Sequence, residues 1–173
     1  MKDNIKVLVE EKDLQKRISE IAAQISKDFE GESVLLVCIL KGSIFFTADL
    51  ARYITIPVML DFMSVSSYGN GTESVGEIRL KHDLDDGIMG KNVVIVEDII
   101  DSGNTLNFLL KILGERRPKA LKICTLLDKP SRRKVDIKVD YTGFEIEDNF
   151  VVGYGMDYAQ EYRALPYIGM LDS

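Results

Sequence analysis

Three acids fall within five residues of one another in the stretch VVIVEDIIDSGNTL, Val93 to Leu106: Glu97, Asp98 and Asp101. The first two close a run of β-branched apolar residues. The third opens the turn Asp101-Ser102-Gly103-Asn104-Thr105, which leads into an apolar, helix-length segment. In open parallel sheets ligands bind beyond the carboxyl ends of the strands, where these acids stand. The turn that follows suits an anion. Backbone N–H groups at a helix start bind phosphate, Gly103 allows close approach, and the Ser102 and Thr105 hydroxyls add donors. Carboxylates on one side of a pocket and a phosphate cradle on the other fit a ligand with hydroxyls, phosphate and bound Mg²⁺, such as a ribose phosphate. The same pattern also fits a Mg²⁺-dependent phosphohydrolase. The Walker A pattern of a P-loop NTPase is missing.

The surrounding chain supplies the elements that must hold this stretch. Leu14, Ile18, Ile21, Ile25 and Phe29 recur at helical spacing, with Gly31 placed to end the helix. SVLLVCIL (33–40), IPVMLDF (56–62), NVVIVE (92–97) and ALKICTLLD (120–128) predict strands, and FVVGYG (150–155) a late one. SIFFTADLARYI (43–54) and TLNFLLKILGE (105–115) predict helices, with Pro118 as a stop signal. Alternating helices and continuously apolar strands imply an α/β fold with a mainly parallel central sheet flanked by helices. Residues 63–92 break the pattern. They form a long polar excursion with five glycines, read as a lid, in which SVGEIRL could pair as an edge hairpin.

Composition narrows the function classes. The 173 residues allow one domain with a sizeable core, and 46% hydrophobic with 29% charged residues is an ordinary globular balance. No apolar run approaches the roughly 20 residues of a membrane span, and the N-terminus lacks a secretory apolar core. The cytoplasm is the expected location, with no membrane partner. A net charge of −6 argues against nucleic acid as a partner, and the clusters ERRPK (115–119) and SRRK (131–134) are small. Cys38 and Cys124 lie in apolar strand-like runs and read as buried, reduced thiols. His82, the single histidine, sits in a polar stretch with no acid or nucleophile arranged around it.

VVIVEDIIDSGNTL resembles the phosphoribosyl pyrophosphate signature of the type I phosphoribosyltransferases, and Glu-Asp-Ile-Ile-Asp resembles the bacterial hypoxanthine-guanine branch in particular. Three further segments agree, in family order. LVCILKGSIFFTADL (36–50) resembles the pyrophosphate loop, SSYGNGTESVGEI (66–78) the mobile loop, and DNFVVGYGMDYAQEYRALPYIG (148–169) the purine and metal segment. The resemblance implies one phosphoribosyltransferase domain over 1–173, with 63–92 as a mobile lid and the terminal segments, 148–173 among them, forming a small purine-binding hood.

It also implies an activity. The 5-phosphoribosyl group passes from phosphoribosyl pyrophosphate to hypoxanthine, and to guanine, giving IMP or GMP and pyrophosphate in purine salvage. Glu97 and Asp98 would hold the ribose hydroxyls directly or through Mg²⁺, with Asp157 holding a second Mg²⁺. Asp101 would be the general base, where the residue alone also reads as an N-terminal helix cap and the two roles are compatible, and residues 101–105 would bind the 5′-phosphate. Asn104 stands where some relatives carry lysine, so one cation is missing there. Lys41 and Gly42 would bind pyrophosphate through backbone N–H groups, in a loop that often has a cis bond before this lysine, and Arg163 would clamp it. Phe150 would stack on the purine, Val151 would offer its backbone to the base, and Lys129 would donate to the 6-oxo group. Ser67 and Tyr68 would close over the reacting centre. A homodimer or homotetramer is implied. Some proteins of this fold are nucleic-acid-binding regulators, which is the alternative reading.

Overall fold

The computed structural model describes residues 4–68 and 77–171. Two sheets form. The larger has six strands: β2 (Val34–Ile39), β3 (Val58–Tyr68), β4 (Glu77–His82), β5 (Asn92–Ile100), β6 (Ala120–Asp128) and β7 (Tyr141–Glu145), in the order β4-β3-β2-β5-β6-β7. Every neighbouring pair is parallel except β3 and β4. The smaller sheet pairs β1 (Ile5–Val9), β9 (Ile168–Leu171) and β8 (Val151–Val152) antiparallel, so the two ends of the chain meet in it.

Strand β2 is apolar at every position, and β5 from Val93 to Val96, because both faces are covered there. Val34 and Leu36 of β2, with Val94 and Val96 of β5, face Leu14, Ile18, Ile21 and Ile25 of α1 (Glu11–Asp28) and Phe46 and Leu50 of α2 (Ile44–Tyr53). The alternate residues Leu35, Val37, Val93 and Ile95 pack with Leu106, Leu109 and Leu113 of α3 (Asn104–Gly114). Helix α1 opens on Glu11 and Asp13 and closes on Lys27, which suits the helix dipole. Gly31 (φ 79°) then turns the chain toward β2, as its placement predicted.

Several elements differ from their sequence expectation. Strand β5 does not stop at Glu97 but runs on to Ile100, because β6 accompanies it as far as Ile100↔Asp128. FVVGYG is a strand only at Val151 and Val152. Gly153, Tyr154 and Gly155 all have positive φ, which ends the extended run. Within 63–92, Met63 is buried and the flanks pair as an antiparallel hairpin, Ser66↔Arg79 and Tyr68↔Glu77. Residues 69–76, the middle of the expected lid, lie outside the described residues. Among the described residues no helix is long and apolar enough to cross a membrane.

Candidate active site

The lengths of neighbouring strands create the pocket. Strand β2 is paired with β5 only as far as Cys38↔Val96, while β5 continues beside β6. The last residues of β5, from Glu97 on, therefore have one flank without a strand. Glu97 is buried, and burial, followed by the charge of Asp98, pushes its carboxyl well above the usual carboxylate range. Asp98 is pushed up to about 6, first by burial, against the hydrogen bond it accepts from the Ile99 N–H and the charge of Arg163. Such shifts are typical of functional carboxylates.

The chain leaving β2 passes over these acids as Leu40-Lys41-Gly42, and the Leu40–Lys41 peptide bond is cis. A Cβ at Gly42 would overlap the Asp98 carboxylate, so only glycine lets the loop lie this close. The backbone of Gly155 (φ 100°) leans on the Gly42 carbonyl from the other side, where a Cβ would also clash. Ser43 Oγ donates to the Ile39 carbonyl at 2.8 Å and fixes the start of α2.

Beyond β5 the chain turns through Asp101 and Ser102 into α3. Gly103 (φ 84°) takes the N-cap position, so Asp101 is not the cap. Ser102 Oγ accepts from the Asn104 N–H at 3.3 Å, and its carbonyl accepts from Lys134 N at 2.9 Å. The SRRK cluster thus backs this turn, and Arg133 pairs with Asp128 while donating to the Asp101 carbonyl at 3.4 Å. A cavity of about 240 Å³ lies over the turn, lined by Glu97, Asp98, Asp101, Ser102, Gly103 and Thr105 among others.

A second cavity, of about 220 Å³, has Lys129, Phe150, Val151 and Asp157 in its walls and shares Asp98, Ile99 and Asp101 with the first. Lys129 is buried. Its Nζ lies 3.6 Å from Asp101 Oδ1 and 3.5 Å from Asp148 Oδ1. Phe150 is 55% exposed, unusual for so large an apolar ring, and meets Tyr158 edge-on at 5.7 Å between centroids. Val151 pairs with Met170 in the small sheet.

Asp157 Oδ1 lies 2.9 Å from Arg163, and Asp157 Oδ2 accepts from the Gln160 N–H at 2.9 Å. Arg163 also donates to the Gly155 carbonyl at 2.7 Å. Gln160 Oε1 accepts from both Lys41 Nζ and Arg163 Nη2 at 3.3 Å. Ser67 is exposed near the end of β3, and the side chain of Tyr68 lies outside the described residues. His82 is exposed at the end of β4, paired across from Ser64. Cys38 and Cys124 are buried and free, with thiols pushed up by burial.

The residues singled out in the sequence therefore converge on two joined cavities, except Ser67 and Tyr68 on the hairpin and Lys41, Gly42, Asn104 and Arg163, which contribute beside the walls. Asp148, Met156, Gly155 and Gln160 were not foreseen. All four lie in the segment 148–169 already noted; Gly155 carried a signal in its residue type, whereas the types of Asp148 and Gln160 gave none. Among the described residues no three His, Cys, Asp or Glu side chains gather to hold a metal unaided. Adjacent Glu97 and Asp98, with their raised affinity for protons, do fit Mg²⁺, which takes one or two carboxylates and completes its shell with waters and substrate phosphates.

Comparison with known proteins agrees along almost the entire chain. Residues 5–159 match the family described as phosphoribosyl transferase domain. The sequence is 52% identical over 171 residues to the hypoxanthine phosphoribosyltransferase of Salmonella typhimurium, covering 98% of this chain and 96% of that protein. It is 50% identical over 172 residues to the hypoxanthine-guanine phosphoribosyltransferase of Bacillus subtilis, covering 99% and 96%. The crystal structure of a hypoxanthine-guanine phosphoribosyltransferase from Bacillus anthracis, with a HEPES molecule in its active site, superposes with a TM-score of 0.94 at 54% identity, over 98% of this chain and 100% of that one. With strand order, cavity and sequence in accord, the chain belongs to the phosphoribosyltransferase family and has the type I fold of its structural relatives.

Proposed function

We propose that the chain is a purine salvage enzyme that transfers the 5-phosphoribosyl group of phosphoribosyl pyrophosphate to hypoxanthine, and to guanine, releasing pyrophosphate. The observation that carries this reading is the sharing of Asp101 between the two cavities, with buried Lys129 3.6 Å away. One cavity takes the sugar phosphate, the other takes the base, and the shared acid lies where they join.

The 5′-phosphate sits in the turn 101–105, where backbone donors and the positive end of α3 favour a dianion. Arg133 behind the turn lends positive charge that Asn104 does not supply. The purine stacks on exposed Phe150, with the Val151 backbone at its edge, and displaces the Lys129 ammonium from Asp101 toward the 6-oxo group. An adenine, with a 6-amino donor, offers Lys129 nothing to bind. The bond from purine N9 to the sugar C1′ forms as the bond from C1′ to pyrophosphate breaks, and pyrophosphate leaves with the electron pair. Asp101 accepts the proton that the purine loses near N7. Glu97 and Asp98 hold the ribose hydroxyls, and their negative charge favours the cationic sugar. Lys41 and Gly42 take pyrophosphate on backbone N–H groups, and Arg163 clamps it. The hairpin carrying Ser67 and Tyr68 closes over the centre and excludes water.

Glu97 and Asp98 would hold one Mg²⁺ and Asp157 a second. When bound, the metal offsets the charge between these acids and the substrate phosphates. The enzyme works in the cytoplasm as a homodimer or homotetramer, without nucleic-acid or membrane partners. The regulator reading finds little support in a net charge of −6.

The test is a panel of hypoxanthine, guanine, xanthine and adenine with phosphoribosyl pyrophosphate and Mg²⁺, following nucleotide formation. Turnover of hypoxanthine and guanine with little of adenine is expected. Absence of transfer to any 6-oxopurine would contradict the proposal.

A further inference from the structure

Between Asp157 and Arg163 the chain makes a tight loop closed by Tyr158 and Glu161, which exchange backbone hydrogen bonds at 3.2 and 2.9 Å. Ala159 (φ 50°), Gln160 (φ 71°) and Tyr162 (φ 72°) all lie in the left-handed region. That region is unfavourable for residues with a Cβ, so three such residues within four positions mark a loop held to a purpose. Asp157 does the holding, with one carboxylate oxygen on the Gln160 N–H and the other on Arg163.

The result is to aim the Gln160 side chain out of its own segment. Its Oε1 accepts from Arg163 and, across to the loop after β2, from Lys41, each at 3.3 Å. A second contact joins the same two segments, where Gly155 leans on the Gly42 carbonyl. Lys41 and Arg163 repel one another, and one neutral oxygen between them offsets that repulsion without cancelling their charge. We propose that Gln160 is a positioning residue for pyrophosphate. It straps Lys41 to Arg163, and so holds the backbone donors of the Lys41-Gly42 loop at a fixed distance from the guanidinium. The inference rests on the assignment of Lys41, Gly42 and Arg163 to pyrophosphate.

The experiment compares Gln160→Ala, Gln160→Glu and Arg163→Gln with the native chain in both reaction directions. For Gln160→Ala the KM of phosphoribosyl pyrophosphate, and of pyrophosphate in the reverse reaction, should rise about 3- to 5-fold, the scale of exposed contacts to charged groups. Gln160→Glu keeps an acceptor but adds a negative charge facing an anionic ligand, and should raise both constants about 10-fold, as one like charge nearby in an exposed site would. The KM of hypoxanthine and the Tm should stay unchanged in both. Arg163→Gln tests the underlying assignment and should weaken pyrophosphate use most. Loss in Arg163→Gln with no change in either Gln160 variant overturns the strap and leaves the pyrophosphate subsite standing. An equal rise in the KM of hypoxanthine, or a lowered Tm, makes Gln160 merely structural and also overturns it. No effect of Arg163→Gln removes the subsite assignment and the inference with it.

Discussion

Glu97 and Asp98 stand on a strand that β6 accompanies to Ile100, whereas Phe150, Asp157 and Arg163 are carried by a segment with two residues of strand and a run of left-handed turns. The first half of the site is fixed by the sheet itself, and its acids keep their places because β5 cannot move without the core. The second half depends on particular contacts: Gly155 against Gly42, Asp157 against Arg163, and Tyr154, which donates to Asp49 and so ties the turn to α2. Charge at the reacting centre is set on regular structure. In the proposed reaction, recognition of the base and of pyrophosphate falls on loops, where small changes can retune it. Asp101 belongs to both halves, and substitutions there and on either side should separate them.

The largest effect is expected at Asp101. Asp101→Asn keeps the shape but removes the base, and turnover should fall about 10²–10⁴-fold, the usual worth of general acid–base catalysis. Affinity for phosphoribosyl pyrophosphate should change little. Steady-state kinetics with near-native turnover would remove Asp101 from the mechanism.

Next is Gly42→Ala, which drives a methyl group into the Asp98 carboxylate. Overpacking of this kind costs about 1–3 kcal/mol, so use of phosphoribosyl pyrophosphate should weaken by about 10- to 100-fold. A smaller fall in Tm should accompany it in thermal melts. Unaltered kinetics would mean the loop does not lie on Asp98 during the reaction.

Lys129→Gln probes the other half. The amide can present a donor or an acceptor to position 6, so hypoxanthine use should drop about 10-fold, a lost charged hydrogen bond, while adenine use holds or rises. Competition between the two bases measures this, and an equal fall for both would make Lys129 a structural residue instead.

The smallest effect concerns pH. The carboxyl of Asp98 is raised from 3.8 to about 6 in the folded chain, so the ligand-free protein binds a proton that the unfolded chain gives up. That contribution to stability is full below about pH 4 and is lost as pH rises through about 6. Glu97 is shifted the same way. Glu32 and Asp83, lowered by Lys119 and Arg116, act in the opposite sense but only below the ordinary carboxylate range. The Tm of the ligand-free protein should therefore decline by a few degrees between pH 5 and 7.5, and Asp98→Asn should flatten the decline. A Tm that rises across this window would show the sheet half to be relaxed rather than electrostatically loaded.

The same contrast explains what could be read in the sequence. Strands β2 and β5 announce themselves because both faces are buried, and α1 because its apolar residues keep one helical face. The acids after Val96 were visible as a break in an apolar run. Strands β1 and β9 were not legible. Each has at most five residues, and Ile5 pairs with Leu171 from the opposite end of the chain. Local pattern cannot report such a partner. FVVGYG looked like a strand from its β-branched and aromatic residues, but Tyr154 takes φ 48° between two positive-φ glycines, a conformation supported by its contact with Asp49 rather than by its own preference. Phe150, Asp157 and Arg163 entered only by resemblance. Gln160 lies within the segment 148–169 but has no period or residue type that assigns it a task, and its meaning comes from Lys41, 119 residues away along the chain.

On the proposed function, the sheet end serves a ligand that brings both phosphate and metal. Glu97, Asp98, Asp101 and Asp157 line the joined cavities, and the proposed substrate is itself an anion. Without a cation, like charges within a few ångströms would repel by several kcal/mol at an effective dielectric of about 20. Titration calorimetry with phosphoribosyl pyrophosphate, in excess Mg²⁺ and in excess chelator, measures this directly. Tight binding with Mg²⁺ and weak binding without it, alongside weak Mg²⁺ affinity of the protein alone, is the predicted result. Equal affinity under both conditions would contradict the account of Glu97, Asp98 and Asp157 as a joint site for metal and sugar.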